Sequence, residues 1–231
     1  MYAIPRKIGL AMGEQGAKAV LFEQFARVGK ALASGKRLEL LDILAQGERT
    51  VESLARAAQL GMTTASAHLQ TLKRANLVVT RGEGTKVHYR LAGSDVAALY
   101  ALVRAVADAH LPDVEAARAD YFGAGDGAEH VSREELLRRV ELGDVVVLDV
   151  RPREEYQAGH IPGAVSVPLD ELAGKLGEIS ADQEVVAYCR GSYCVLAHDA
   201  VRLLTAHGRP ARRLAEGMLE WRLAELPVET T

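Results

Sequence analysis

Cysteine is scarce in this chain of 231 residues: there are two, Cys189 and Cys194, and none precedes them. Two thiols five positions apart cannot staple a small secreted fold, and in a reducing compartment such a pair reads as reactive or metal-binding rather than structural. They also fall short of a structural zinc site, which takes four ligands. Long apolar runs are missing as well, so no segment is expected to span a bilayer. Met1 to Gly16 carries Arg6 and Lys7 but no sustained apolar stretch and no export signature, and reads as a loose tail or packing arm (residues 1–16). A cytoplasmic protein is the expectation. Strong net charge is absent too, at −3, but the balance is uneven. Residues 1–122 hold 16 Lys and Arg against 12 Asp and Glu; the remaining residues hold 12 against 19. Either the two halves differ by chance or only the first meets a polyanion.

What is present divides into two domains, which suits the length. Apolar residues recur at helical spacing over Ala17–Ala33, Leu38–Leu44, Thr50–Ala58 and Thr63–Ala75. Thr50 is placed to cap the third helix. Gly61 is read as permitting the sharp turn before the fourth. In that fourth helix Ala65, Leu69 and Leu72 face inward, while Thr63, Thr64, Ser66, Ala67, His68, Gln70 and Lys73 make up the candidate DNA-reading set. Leu77–Thr80 then reads as a strand, Arg81–Gly84 as a turn and Lys86–Leu91 as a half-exposed strand. Arg81, Lys86, His88 and Arg90 on this ribbon are candidate phosphate or minor-groove contacts. Helix, tight turn, helix and two-stranded ribbon make a mostly α winged helix-turn-helix. Ser94–Phe122 continues as a helix that Leu111-Pro112 breaks or kinks. The first domain is set at residues 17–122, and a glycine-rich linker at 123–128 follows.

Leu54-Ala55, Gly61, Thr63 to Leu69, Leu72-Lys73, Ala75 to Val78 and Tyr89 to Leu91 resemble the ArsR-type bacterial repressors. The resemblance implies a homodimer that sets two reading helices into successive major grooves of a palindromic operator, and repression released by an inducer. Many members sense metals; the cysteines of one of their sites have no counterpart here. Asp108 and His110 supply half of another, while the later positions around Tyr121 and Gly125 offer no ligand. No metal site is expected.

Residues 129–231 alternate strand and helix patterns: a helix capped by Ser132, an apolar strand Val145–Val150, a short helix Arg153–Gln157, strands at Val165–Val167 and Val185–Tyr188, helices at Leu169–Leu176 and Val195–His207, and a last edge strand at Arg212–Leu214. That pattern predicts an α/β domain with a parallel sheet, whose site lies beyond the carboxyl ends of its strands. Cys189 occupies that position, between a strand and a helix N-terminus. Backbone N–H groups and the helix end there favour thiolate over thiol.

Asp149-Val-Arg151, Glu155-Tyr156, Gly159 to Ala164, Val167-Pro168, Cys189 to Ser192, Gly217, Trp221 and Leu226 to Val228 closely resemble the rhodanese family. By that resemblance Cys189 carries sulfane sulfur as a persulfide. The N–H groups of Arg190, Gly191, Ser192, Tyr193 and Cys194 cradle the outer sulfur, and Asp149 pairs with Arg151 to brace the sheet end. The six-residue loop is the length associated with sulfur; phosphatases on this fold use one residue more. His160 either titrates near the site or stabilises its turn. Thiosulfate-using members place a Lys or Arg late in the loop, where this chain has Tyr193 and Cys194. Cys194 can resolve a persulfide on Cys189, or it packs as a small buried residue.

Three functions follow as expectations. The leading one is a homodimeric repressor of double-stranded operator DNA that responds to sulfane sulfur or polysulfide through Cys189 and Cys194, without a cofactor. The others are a sulfurtransferase attached to a DNA-binding domain and, more remotely, an arsenate reductase.

Overall fold

The computed structural model describes residues 8–123, 130–179 and 183–231. The first unit opens with α1 (Ile8–Leu32), so residues 8–16 join the helix rather than a tail. Gly13 and Gly16 each cost a helix roughly 1 kcal/mol, but neither removes a donor as proline does, and the helix runs through them. Then come α2 (Gly35–Gln46), β1 (Arg49–Thr50), α3 (Val51–Ala57), α4 (Met62–Arg74), β2 (Val78–Glu83), β3 (Lys86–Leu91), α5 (Ser94–His110) and α6 (Asp113–Phe122). Thr50 caps α3 as expected, its hydroxyl accepting from the Ser53 N–H at 3.2 Å. Pro112 falls in the break between α5 and α6.

Two local expectations change. The turn between α3 and α4 gets its left-handed residue from Gln59, at φ 52°, and not from Gly61. Gly61 is an extended N-cap at φ −67°, and a Cβ there would meet nothing within 4 Å. The wing strand β2 continues through Arg81, Gly82 and Glu83, so the reversal is confined to Gly84-Thr85, with Gly84 at φ 58°. The ladder thereby sets Arg81 opposite His88 and Glu83 opposite Lys86. The two-residue β1 adds a third strand, giving the order β1-β3-β2.

The second unit comprises β4 (His130–Val131), α7 (Arg133–Leu142), β5 (Val145–Asp149), α8 (Arg153–Gln157), β6 (Val165–Ser166), α9 (Leu169–Lys175), β7 (Glu184–Tyr188), α10 (Val195–Ala206), β8 (Ala211–Leu214) and α11 (Met218–Leu223). The Ser132 hydroxyl caps α7 by accepting from the Glu135 N–H. The sheet is parallel with strand order β4-β8-β7-β5-β6. β8 is therefore not the edge expected from sequence, because β4 pairs along its outer side. A two-residue strand leaves too short an apolar pattern to be read in advance. The proposed linker falls almost wholly outside the described residues.

The core of the winged unit joins α1 to α5 and the sheet through Leu40, Leu41, Ile43, Leu44, Leu54, Leu69, Leu72, Tyr89 and Tyr100. Leu219 of α11 belongs to the same cluster, and Leu223 packs against it. The units therefore share apolar core through α11, which lies against α2 and α5.

Candidate functional site at the domain junction

The loop Cys189–Cys194 leaves the carboxyl end of the central strand β7 and enters α10. Its shape is fixed from below by the start of α11: the Met218 and Leu219 N–H groups donate to the carbonyls of Cys189 (3.0 Å) and Arg190 (2.9 Å). Gly217 makes this approach feasible. A Cβ there would lie 2.3 Å from the Gly191 nitrogen and 2.6 Å from the Cys189 carbonyl oxygen. The sheet end beside the loop is braced by Asp149 and Arg151, both fully buried. Arg151 Nε donates to Asp149 Oδ1 at 2.9 Å, and the Tyr188 hydroxyl donates to Oδ2 at 2.6 Å. Two more bonds place the guanidinium: Nη2 to the Gly159 carbonyl at 2.9 Å and Nη1 to Gln46 Oε1 at 3.1 Å. Gln46 belongs to the winged unit, so even this brace spans the junction. His160 is buried, stacks on Tyr156 and uses Nδ1 on the Tyr156 carbonyl at 2.9 Å. That is the turn-stabilising arrangement.

Both thiols are free and buried. The Cys189 thiol donates to the Cys194 carbonyl at 3.2 Å, and each thiol shifts the other's pKa. Burial pushes the Cys189 thiol well above the ordinary thiol range, and its contact with Cys194 adds to the shift. The N–H groups of Gly191 and Ala197 do act on Cys189 as expected of the loop, but burial outweighs them. Cys194 moves the other way. Hydrogen bonding from Cys189 lowers it, against its own burial and with help from the Arg190 charge. The two shifts are opposite in direction, which makes Cys194 the more readily ionised thiol of the two.

Side chains of the winged unit surround this loop. Glu155 of α8, with a fully buried side chain, accepts from Arg190 Nε at 3.0 Å and Nη2 at 2.6 Å, and from Arg49 Nη2 of β1 at 2.7 Å. Arg49 also holds Glu154. One carboxylate therefore joins the first residue of the sulfur loop after Cys189 to the strand that immediately precedes α3. On the other side, Arg104 of α5 donates from Nη2 to Ser192 Oγ at 3.0 Å and to Glu220 Oε1 at 2.9 Å, with its guanidinium 4.8 Å from the centre of the Tyr193 ring. Asp108, half of the metal site considered from sequence, is hydrogen-bonded to Tyr193. Between the units lies a cavity of about 530 Å³ whose lining includes Asp42, Tyr100, Arg104, Arg190, Tyr193 and Cys194. Burial raises the Asp42 carboxyl above the usual range, opposed by the charges of Arg190 and Arg104.

The structure brings Asp149, Arg151 and all six loop residues together. Arg49, Gln46 and Arg104 gave no signal in the sequence, because they lie 88 to 144 positions from their loop partners. Arg49 sits 106 positions from Glu155. Glu155 stood within the rhodanese-like pattern, but its partner across the junction did not.

The DNA-reading candidates divide. Thr63, Thr64, Ala67, Gln70 and Lys73 on α4 are exposed, with Ser66 and His68 partly so. Gln70 and Lys73 are oriented by the wing, through Tyr89 Oη (3.0 Å) and Thr80 Oγ1 (2.8 Å). Lys86 and Arg90 are exposed on β3. Arg81 is held by Glu48 (2.6 Å) and Glu83 (2.7 Å), and His88 lies 3.7 Å from each of the same carboxylates. The extended β2 brings Glu83 to the same edge as Arg81, so neither Arg81 nor His88 stands as an unopposed cation.

Fold and site together define a winged helix-turn-helix DNA-binding unit joined to a rhodanese-like domain. Comparison with known proteins agrees. The family described as "Bacterial regulatory protein, arsR family" matches residues 34–80, and the rhodanese-like domain family matches residues 132–224. The chain is 58% identical over 217 residues to the HTH-type transcriptional regulator Rv0324 of Mycobacterium tuberculosis, covering 94% of this chain and 95% of that protein. Its C-terminal part is 29% identical over 99 residues to a sulfurtransferase of Allochromatium vinosum, covering 42% of this chain and 92% of that protein. Among solved structures, the homodimeric winged helix-turn-helix DNA-binding domain Mb0332 of Mycobacterium bovis is 53% identical, covering 48% of this chain and 94% of that one, with a TM-score of 0.39. The chain belongs to the ArsR-type transcriptional regulators, in the form that carries a C-terminal rhodanese-like domain. Among the described residues no helix is long and apolar enough to cross a membrane.

Proposed function

We propose that this regulator is a homodimeric repressor whose operator affinity is set by sulfane sulfur at the Cys189–Cys194 loop. The observation that carries the reading is the shared Glu155 carboxylate, which ties Arg190 of the loop to Arg49 of the winged unit. The dimer forms through α1 and α5, where Val20, Phe22, Phe25, Leu102 and Val106 leave more than half of their surface exposed. Each α4 then enters a major groove.

The chemistry balances without an external oxidant. A thiolate of the pair attacks the outer sulfur of a persulfide donor RSS⁻; the S–S bond of the donor breaks, RS⁻ leaves with the electron pair, and the proton of the other thiol passes to the new terminal sulfur, giving Cys–S–SH beside a thiolate. In the second step the other thiolate attacks the protein sulfur of Cys–S–SH and expels HS⁻, leaving a Cys189–Cys194 disulfide. The donor's sulfane sulfur is reduced to sulfide as the two thiols are oxidised. Closing that bridge removes the thiolate that Arg190 faces and re-forms the loop backbone. Arg190 and Glu155 must then resettle, and Arg49 with them. A signal requires that the two loop states interact differently with the winged unit. A hundredfold change in operator affinity needs only about 2.7 kcal/mol. The test is operator binding with and without polysulfide for wild type and Cys189→Ser. The reading expects a response in wild type alone; identical responses in both would sink it.

A second reading, a sulfurtransferase attached to DNA, is favoured by the rhodanese-like match and by the sulfurtransferase relative. Steady-state turnover with thiosulfate and a thiol acceptor separates the two. Turnover well below about one per second, with stoichiometric loading, belongs to a sensor.

A further inference from the structure

The loop lacks the late cation of thiosulfate-using rhodaneses, holding Tyr193 and Cys194 instead. A guanidinium nevertheless stands over it. Arg104, on α5 of the winged unit, donates to Ser192 Oγ and to Glu220, and its ring-plane contacts with Tyr193 (4.8 Å) and Tyr100 (5.4 Å) fix its attitude. Its Nη1 lies 3.3 Å from where a Cβ on Gly191 would be. A side chain there would crowd this cation and the Glu220 carboxylate at 3.1–3.3 Å, so glycine favours their close approach to the loop backbone. Its Nε is buried and has no hydrogen-bond partner among the described residues. Buried unpaired N–H groups are rare; this one gains an acceptor when the side chain shifts toward the cavity that the residue lines. That cavity, of about 530 Å³, is also lined by Cys194 and Arg190. Arg190 is held by Glu155 through Nε and Nη2, and Arg104 by Ser192 and Glu220 through Nη2, so both guanidinium groups line the cavity with donors to spare and Arg104 is the one that another element supplies.

We propose that Arg104 is the donor-recognising cation of the sulfur site, supplied by the DNA-binding unit, and that the site is built for anionic sulfane-sulfur donors. This rests on the sulfur-responsive reading above and reverses one consequence of the sequence: the loss of the loop cation does not disfavour an anionic donor, because the cation arrives from another element. The shared chemistry is a terminal sulfane sulfur on an anion, whether a hydropolysulfide, an organic persulfide or thiosulfate. With thiosulfate the thiolate attacks the outer sulfur, the S–S bond breaks, sulfite leaves with the electron pair, and the protein holds Cys–S–S⁻. The arrangement also means that donor binding touches α5 directly.

The test uses the full-length protein, as wild type, Arg104→Gln and Arg104→Lys. Sulfur loading of Cys189 and Cys194 is followed by mass spectrometry with thiosulfate and, separately, with hydropolysulfide. The neutral reagent methyl methanethiosulfonate, which transfers a methylthio group to the same thiolate and releases methanesulfinate, reports on thiolate reactivity independent of donor charge. For Arg104→Gln the ratio of anionic-donor to neutral-reagent rates should fall about tenfold or more, in the range of electrostatic effects on association, with Arg104→Lys recovering much of it. Loss with only one of the two anions identifies that anion as the donor the site fits. Equal slowing with anionic and neutral reagents, or no change, overturns the assignment and makes Arg104 a structural residue. If wild type acquires no sulfur from either anion while the neutral reagent modifies it, the sulfur reading fails and this assignment falls with it.

Discussion

Two sets of arginines in the winged unit meet very different surroundings. On α4 and the wing, Arg74 and Arg90 stand exposed beside Lys73 and Lys86. At the junction, Arg49 is almost wholly buried between Glu154 and Glu155, and Arg104 is wedged among Ser192, Glu220, Tyr193 and Tyr100. The first set suits a polyanion that comes and goes, with affinity that salt can screen. The second is a buried polar network that spans the junction, and on the proposed function it is the path by which a change in the loop would reach the winged unit. The charge asymmetry between the halves of the chain takes on a second meaning here. Part of the surplus in residues 1–122 is matched within the molecule, by Glu154, Glu155 and Glu220 of the acidic half.

Breaking the buried set should have the largest effect. Glu155→Gln leaves Arg190 without its carboxylate and Arg49 with Glu154 alone, and should lower stability by roughly 2–3 kcal/mol, read from the urea midpoint at unchanged m-value, with the chain still folded. Gly217→Ala comes next. The added methyl group collides with backbone rather than with a flexible side chain, which costs about 1–3 kcal/mol, and the distorted loop should load sulfur poorly by mass spectrometry.

Cys189→Ala probes the pair itself. Cys194 is lowered chiefly by hydrogen bonding from Cys189. Without it the Cys194 pKa rises, with burial opposed only by the Arg190 charge and the N–H groups of Arg190 and Leu196. Since reactivity increases as pH climbs through the pKa, the alkylation profile of Cys194 should shift to higher pH than in wild type. An unchanged profile would remove Cys189 as the cause. The smallest effect belongs to the exposed set. Lys86→Ala should reduce the salt dependence of operator binding by about one unit of slope, whereas Arg81→Ala, already neutralised by Glu48 and Glu83, should change it less. Equal losses would mean that Arg81 leaves its carboxylates on DNA.

Most of the architecture was legible because its signals are local. Helical periodicity marked α2, α3 and α4; Thr50 and Ser132 announced their caps; the apolar run at Val145 announced a buried strand. What escaped was short or distant. β1 and β4 span two residues each, too few for a period. The sharp turn credited to Gly61 found its left-handed residue in Gln59, since a turn can settle on a neighbouring residue when the helix start fixes the glycine as a cap. Of the site, the loop and its Asp149–Arg151 brace could be read from residue pattern. The residues that join it to the winged unit could not, because contacts such as Arg49–Glu155 depend on how the two units pack.

The central claim is that sulfur at the loop reaches DNA through that buried network. The most direct measurement is the operator affinity of Glu155→Gln before and after polysulfide, with loading of Cys189 and Cys194 verified by mass on the same samples and wild type alongside. Wild type should change about a hundredfold. The variant should bind operator and load sulfur, yet change its affinity by less than about threefold, because the shared carboxylate no longer connects the loop to β1. An equally large change in a fully loaded Glu155→Gln would contradict the account.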